Sequence, residues 1–274
     1  MRRRGPGSEL TLTVYLQVAL KSFQRHLAYR AANLAGILTN LFFGAVYVFI
    51  YLALFQGRDQ VGGLDARDAV TYATISQALL MVMSAFGSRE LSDAIVKGEI
   101  ASDLCRPLDT YLYWGAIDLG RAAYYLLFRG IPTYLLGTWL FHARMPSGAG
   151  IWPLFCAAIA CGMLLSFSFR FIVSSLAFWT TDIRGINYLV STSILFFSGF
   201  VVPLNFLPDV LRRFVEWLPF RAMAHLPITI YLGKVDGETL ARVFGLELVW
   251  LVGLTLLGRA ILRFTLRRVT IQGG

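Results

Sequence analysis

Four long stretches of this chain contain no charged residue, and they limit its possible folds more than any other feature. The stretches are Leu34–Phe55, Ala69–Gly87, Ile151–Phe169 and Ile186–Leu204. A helix needs about 20 apolar residues to cross the hydrocarbon core of a bilayer, and each stretch is close to that length. Composition agrees, because only 15% of the 274 residues are charged and 57% are hydrophobic. These stretches therefore predict membrane-spanning helices.

Two further stretches are apolar but carry isolated charges. Ala122–Phe141 contains Arg129, and the region around Leu240–Leu262 contains three charges that include Glu247. Lipid cannot satisfy free backbone groups, so spans of this kind should be helical, and none shows the alternating polarity of barrel strands. We therefore predict an all-α integral membrane fold with one transmembrane domain over residues 1–274. The predicted spans are 34–55, 69–87, 119–141, 151–178, 186–204 and 240–262.

Net charge and cysteine spacing exclude several other classes. In a chain this apolar, the net charge of +9 indicates membrane orientation and lipid contact rather than nucleic-acid binding. Cys105, Cys156 and Cys161 form no CxxC or Cys/His pattern, so neither a disulfide framework nor a metal site is predicted. The opening MRRRGPGSEL is followed by no signal-type apolar core, which predicts an uncleaved cytoplasmic N terminus.

Residues 10–31 predict an amphipathic helix ahead of the first span. Leu12, Leu16 and Leu20 recur at helical spacing, with polar residues such as Lys21 between them. A basic amphipathic helix at this position is expected to lie in the cytoplasmic interface of the membrane. The alternative is that the helix simply extends the first span into water.

Basic residues near the span ends set the predicted orientation. With the N terminus inside, the side that also holds Arg25, Lys97 and Arg184 is the more basic. Both termini are then cytoplasmic, as is the connection between the second and third spans. On the other side, Asn205–Lys234 contains three prolines among helically spaced leucines, which predicts two short helices on the outer surface, broken at proline.

The connection between the second and third spans contains the densely charged segment KGEIASDLCRPLD, Lys97 to Asp109. Just upstream, Arg89–Gly98 has good helix formers and a glycine where a helix should end. Pro107 should stop any further helical turn. The segment is either a short, rigid helical element that receives force from a soluble partner or a solvated connector. Spacing alone leaves both interpretations open.

Two stretches resemble the membrane subunits of ABC-2-type exporters. KGEIASDLCRPLD is similar to the cytoplasmic coupling element of that family, which ends in Arg-Pro-Leu. FFSGFVVPLNFLPDVLRRFVEWLPFRAMAHLPITIYLGK resembles the family pattern after the fifth span, with Ser-Gly and Pro followed by Leu-Pro and Pro-Phe. The closing TIQGG resembles the end of one bacterial subgroup. The resemblance covers the whole chain and implies a permease subunit of a bacterial plasma membrane.

The resemblance implies that the charged element docks into a groove of a cytoplasmic ATPase. The candidate docking residues are Glu90, Asp93, Lys97, Glu99, Asp103 and Arg106. The chain contains no GxxxxGK[ST] motif, so ATP and Mg would be bound by a partner ATPase dimer. A second membrane subunit, homologous or identical, is also implied. No cofactor is expected in this chain itself.

Polar residues follow one helical face of the second predicted span and one of the fifth. These faces consist of Thr74, Gln77, Met81 and Ser84, and of Asn187, Ser191, Ile194 and Ser198. Such faces often hold helices together by hydrogen bonds. The resemblance adds a second interpretation, because spans two and five flank the central pathway in that family. These residues could line a pathway or simply pack against neighbouring helices, and the sequence leaves both interpretations open.

Three charged residues fall inside or at the edge of predicted spans, namely Arg129, Arg170 and Glu247. Intramembrane charges are functional candidates by default. Arg129 and Glu247 are predicted at similar depth, where they could form an ion pair. Pairing within the bundle or reaching to headgroups is the structural alternative, and Arg170 is expected near the inner interface, where its side chain would extend to the headgroups.

Other functions have less support in the sequence. An integral-membrane enzyme would need a catalytic constellation, but the three histidines are scattered and no HExxH or GxSxG motif occurs. A non-ATP transporter or a membrane scaffold is the other alternative. Secondary transporters usually have internal repeats and helices broken at the midplane, and neither is evident in the sequence. We therefore expect no catalytic residue in this chain. Because the spans offer aromatic and aliphatic walls with few charges, we expect a hydrophobic or amphipathic cargo.

Overall fold

The computed structural model describes residues 6–28, 30–86, 89–180 and 182–266, and this part of the chain is helical without a β-strand. The helices are α1 (Pro6–Leu27), α2 (Arg30–Leu54), α3 (Ala66–Leu79), α4 (Glu90–Val96), α5 (Ile100–Leu104), α6 (Thr110–Tyr125), α7 (Ile131–Phe141), α8 (Ile151–Ser175), α9 (Arg184–Phe197), α10 (Asp209–Glu216), α11 (His225–Tyr231) and α12 (Gly237–Leu266). A π-helical turn (Leu126–Gly130) joins α6 to α7. Short 3₁₀ helices occur at Leu176–Phe178, Leu204–Phe206 and Pro219–Met223. The predicted all-α fold is confirmed.

Three of the described helices are long and apolar enough to cross a membrane. They are Ala31–Leu54 in α2, Ile151–Phe178 in α8 with its 3₁₀ extension, and Gly237–Leu266 in α12. They coincide with the first, fourth and sixth predicted spans. Long runs without charge thus identified these helices correctly, and the isolated charges in α12 did not prevent a continuous helix.

The other three predicted spans differ from the observed helices. α3 ends at Leu79 rather than residue 87 and gives way to turns, and α9 ends at Phe197 rather than residue 204. α6, the π turn and α7 follow one another without a break from Thr110 to Phe141. The physical reason why an apolar run need not be a membrane span is clearest for α3, which is buried in protein from Asp68 to Leu79. A helix surrounded by protein is as apolar as one surrounded by lipid.

The first helix packs lengthwise against α6. Ser22 donates a hydrogen bond of 2.7 Å to the Ile117 carbonyl oxygen. Gly120 lies so close to the Ala19 carbonyl that a β-carbon there would clash. On another face of α1, Leu12 is 63% exposed, so the apolar stripe predicted from the sequence is not covered by the described chain. The helix ends at Leu27, four residues before its predicted limit.

The segment before α12 is not the superficial helix pair that the sequence predicted. α10 buries Val215 but exposes side chains such as Val210 and Phe214, whereas the 3₁₀ helix Pro219–Met223 and α11 both pack against α8, and α11 also contacts α3. Gly162 of α8 allows the Ala222 carbonyl to approach closely. The prediction of two surface helices is therefore wrong for α11. Pro219 stands in the first turn of its helix, where a missing N–H is tolerated, so it begins the element instead of breaking it.

Four charged side chains hold the N-terminal end of α3, and we call them the α3 clamp. Arg144 contacts Asp65 and Asp68 at 2.8 Å each, and Lys234 contacts Asp68 at 2.9 Å. Burial acts to raise the pKa of Asp65, but the hydrogen bond from the Asp68 backbone and the Arg144 guanidinium outweigh it, so the pKa is lowered. The clamp joins α3 to the chain that follows α7 and to the chain that follows α11.

Candidate functional site

The charged segment folds as two short helices with a tight turn between them. α4 ends at Val96, Gly98 has a φ of +75°, and α5 begins at Ile100. A residue with a β-carbon would be strained by about 1–2 kcal/mol in this left-handed conformation. The predicted glycine stop is therefore confirmed by the local geometry, and the α4–α5 segment (residues 90–104) has a defined shape.

An apolar underside anchors the α4–α5 segment to the ends of the long helices. Leu91, Ile95 and Ile100 are each less than 9% exposed. They belong to one cluster with residues of α6, α8, α12 and the start of α9. Those residues are Tyr111, Phe171, Ala177, Ile183 and Leu262. Because this cluster joins the segment to four helices, a displacement of the segment would act on all four of them.

Three of the predicted docking residues point away from this cluster. Asp93, Lys97 and Glu99 are exposed and form no ion pair within the described residues. They therefore form a charged face of mixed sign on one side of a helix pair whose other side is fixed by apolar contacts. We call Asp93, Lys97 and Glu99 the free charged face.

The other three predicted docking residues already have partners. Glu90 pairs with Arg25 of α1 at 2.6 Å, and Asp103 lies 3.5 Å from Arg106. Arg106 also donates a hydrogen bond of 2.7 Å to the Tyr113 hydroxyl. Burial raises the pKa of Asp103, and the Arg106 charge partly opposes this. These contacts brace the segment against α1 and α6, so the free charged face is the better candidate for contact with another protein.

A buried ionic network lies directly beside the segment. Asp118 of α6 pairs with Arg121 at 2.8 Å and with Arg170 of α8 at 2.9 Å. Their side chains are only 12%, 7% and 8% exposed. The expectation that Arg170 extends to the headgroups is therefore wrong, because Asp118 holds it inside the bundle.

The same network fastens the turns that follow α3. Arg121 donates hydrogen bonds of 2.9 and 3.1 Å to the carbonyl oxygens of Met81 and Val82. Ser166 of α8 donates to the next carbonyl, that of Met83. The guanidinium thus fixes two carbonyl groups of the turns that follow α3. Sequence analysis missed Asp118 and Arg121, although a charged pair three residues apart at the edge of an apolar span was the available signal.

Arg129 and Glu247 do not form the predicted ion pair. Arg129, in the π turn, donates a hydrogen bond of 2.9 Å to the Asn40 side chain of α2 and lies over Gly36. Glu247 of α12 is fully buried and pairs with Arg221 at 3.0 Å. Arg221 belongs to the 3₁₀ helix before α11, a segment expected on the surface, so its inward position could not be predicted.

The polar face predicted on the second span is buried within this single chain. Thr74 and Gln77 are 2% and 4% exposed and pack against Gly137 and Gly44. Met81 and Ser84 lie in the turns after α3, where Ser84 has a positive φ of 50°. Gln77 and Thr74 therefore contact α2 and α7 rather than an open surface, while Ser84 is buried and Met81 half-buried in the turns that follow.

The corresponding face of α9 also points inward. Asn187 lies 3.5 Å from the Ser92 hydroxyl of α4, and the Ser191 hydroxyl bonds to the Asn187 carbonyl. The Ser198 hydroxyl is buried without a partner among the described residues. The face of α9 thus begins at the α4–α5 segment and runs from there into the bundle.

Comparison with known proteins identifies the family. Residues 41–273 match the model of a family described as ABC-2 family transporter protein. No protein with a curated function matches the chain. Within the described residues, no group of three or more His, Cys, Asp or Glu side chains is placed to hold a metal ion. The matched region covers most of the chain, including α3 to α12. The chain therefore belongs to the ABC-2 transporter family and is an integral-membrane subunit of an ABC transporter, a class that works with an ATPase partner.

Proposed function

We propose that this subunit drives export by receiving force from a separate ATPase dimer through the α4–α5 segment. The observation that carries the proposal is the two-sided construction of that segment. Its apolar side is packed into a cluster shared by four helices, and its free charged face is available to a soluble partner. A solvated connector would not need a buried underside of this kind.

The contacts give the segment a route into the bundle. Displacement of α4 would act on Phe171 of α8 and Tyr111 of α6 through the shared apolar cluster. It would also act on Asn187, at the start of α9. The Asp118 network, beside the segment, couples the same helices to the end of α3. ATP and Mg would be bound by the ATPase, and this chain would supply only the moving helices.

The proposal also includes the number of spans, the orientation, the second subunit and the cargo of the transporter. The subunit would have six spans, with α6 and α7 together forming the third, and both termini in the cytoplasm of a bacterial plasma membrane. A second subunit, homologous or identical, would complete the pathway. The cargo would be hydrophobic or amphipathic, because the long helices carry many apolar and aromatic side chains.

We further propose that the pathway opens along the inward faces of α3 and α9. These faces and the residues that directly follow them contain Thr74, Gln77, Met81, Ser84, Asn187, Ser191 and Ser198. Buried polar groups in a membrane bundle are costly and are usually retained for packing or transport. The Gln77→Leu/Ser191→Leu double variant separates these roles: transport should be lost while the subunit still assembles. Unchanged transport would remove this assignment.

The test of the coupling proposal is purification of the tagged subunit from its native membrane in mild detergent, with mass spectrometry of what co-purifies. We expect an ATPase, and we expect its recovery to fall when Asp93, Lys97 and Glu99 are changed to alanine. The matched control changes Asp209, Arg213 and Glu216 of the exposed helix α10 to alanine. If no ATPase is recovered with the unaltered subunit, the proposal fails.

A further inference from the structure

An apolar cavity of about 400 Å³ lies between α3, the π turn, α7 and α8. Its walls include Ile75 and Leu79 of α3, Leu135 of α7, and Phe155 and Ile159 of α8. Leu126 and Gly130 of the π turn also line it. π-Turns inside α-helices often occur at functional sites, and this one faces the cavity directly.

The chemistry of the walls excludes water and ions as the natural contents. The lining contains no charged residue. Its main polar group is the Tyr134 hydroxyl, which is already within 2.8 Å of the Tyr231 hydroxyl. A bound water needs about two to four polar partners, and apolar cavities without them stay dry. The cavity therefore suits an apolar molecule.

The cavity opens sideways between α8, which is long and apolar enough to cross a membrane, and α7, which we propose forms part of the third span. Leu135 is 54% exposed and Trp152 is 40% exposed, and both stand at its edge. From Trp152 to Met163, α8 extends about 17 Å, at 1.5 Å per residue. This is about the depth of one leaflet of a hydrocarbon core that is about 30 Å thick. A molecule that reaches the cavity from the side must come from the hydrocarbon of one leaflet.

We infer that this cavity is a binding site for the aliphatic chain of an amphiphile. The chain would lie along α8 between Trp152 and Met163, with the aromatic rings of Tyr134 and Phe155 against it. Either a bilayer phospholipid or a smaller single-chain amphiphile could supply such a chain. The inference goes beyond ATP-driven transport, since binding here requires neither ATP nor the ATPase.

The test uses the full-length subunit in phospholipid nanodiscs without ATPase. One probe is phosphatidylcholine with a photoactivatable diazirine on its acyl chain, and the other is a diazirine-labelled palmitic acid. After illumination, mass spectrometry locates the labelled residues. Ala160→Phe fills the cavity from α8, whereas Ala157→Phe adds the same ring at an exposed position of α8 that does not line it. We expect saturable labelling of the lining, reduced about tenfold by A160F, as overpacking an apolar site predicts, and unchanged by A157F.

A second matched pair guards against misfolding of A160F. Leu135→Trp fills the cavity from α7, and Leu136→Trp is its exposed control outside the lining. Saturation by the phospholipid probe would identify a bilayer lipid as the occupant, and saturation by palmitic acid alone would identify a single-chain amphiphile. Labelling that rises linearly with both probes, equally in A160F and A157F, would reveal only ordinary lipid contact and would overturn the inference. Because no nucleotide is involved, this result is independent of the coupling proposal.

Discussion

Replacing Asp118 by asparagine tests the buried ionic network most sharply. Asp118 supplies the negative charge between two guanidinium groups, those of Arg121 and Arg170, at 2.8 and 2.9 Å. The substitution keeps the size of the side chain but removes its charge. Arg121 and Arg170 would then be two cations facing each other in an interior that has almost no access to solvent.

The expected loss is large because the remaining charges stay buried. Removing one partner of a buried ion pair typically costs about 3–5 kcal/mol. On the scale measured for soluble proteins, such a loss lowers the midpoint of thermal unfolding by about 6–20 °C. The Asp118→Asn/Arg170→Gln double variant should lose less than the sum of the two single variants, since it also removes one of the repelling cations.

The assay is thermal unfolding of the purified subunit in one detergent, followed by circular dichroism or by tryptophan fluorescence. The matched control is Asp182→Asn, which breaks the Asp182–Arg184 pair at the same distance of 2.8 Å but with side chains 54% and 77% exposed. Solvent screens that pair, so its midpoint should not change measurably. Equal midpoints for Asp118→Asn and Asp182→Asn would refute the argument that the network is buried and stabilising.

Four further substitutions, three at glycines and one at Asp65, test local geometry and charge. Gly98→Ala should cost about 1–2 kcal/mol, because φ is +75° there, and should lower the unfolding midpoint. Gly120→Ala should weaken the packing of α1 on α6 by about 1–3 kcal/mol, because its methyl group meets the Ala19 carbonyl. The control Gly245→Ala, which meets open space in α12, should leave the midpoint unchanged or raise it. The pKa of the Asp65 carboxyl is lowered below its ordinary 3.8 in the folded subunit. The stability that ionised Asp65 contributes to the fold is therefore complete above pH 3.8 and is lost as the pH falls through the lowered pKa. Asp65→Asn should remove this part of the acid sensitivity in midpoints measured against pH.

The sequence predicted the helices that depend on local composition. α2, α8 and α12 are long runs with few charges, and length alone identifies them. The turn at Gly98 was also predictable from local sequence, because glycine adopts the positive φ of this turn without strain. The ends of α3 and α9 were not predictable. Each apolar run continues past the end of the helix, and its later residues are buried in turns.

Partners distant in the chain were the hardest to predict. Glu247 pairs with Arg221 because the 3₁₀ helix before α11 enters the bundle, and nothing in its proline-rich sequence indicates that burial. Arg170 pairs with Asp118, which lies 52 residues away. Such pairings depend on how the helices pack, so the charges could be noticed in the sequence, but their partners required the fold.

The most direct test of the central claim is the affinity of the purified subunit for its ATPase, measured in nanodiscs by titration. We expect alanine at Asp93, Lys97 and Glu99 to weaken this affinity at least about tenfold, or about 1.4 kcal/mol. Alanine at Asp209, Arg213 and Glu216 of α10 should leave the affinity unchanged. Equal affinities for the two triple variants would contradict the claim that the α4–α5 segment is where the ATPase engages this subunit.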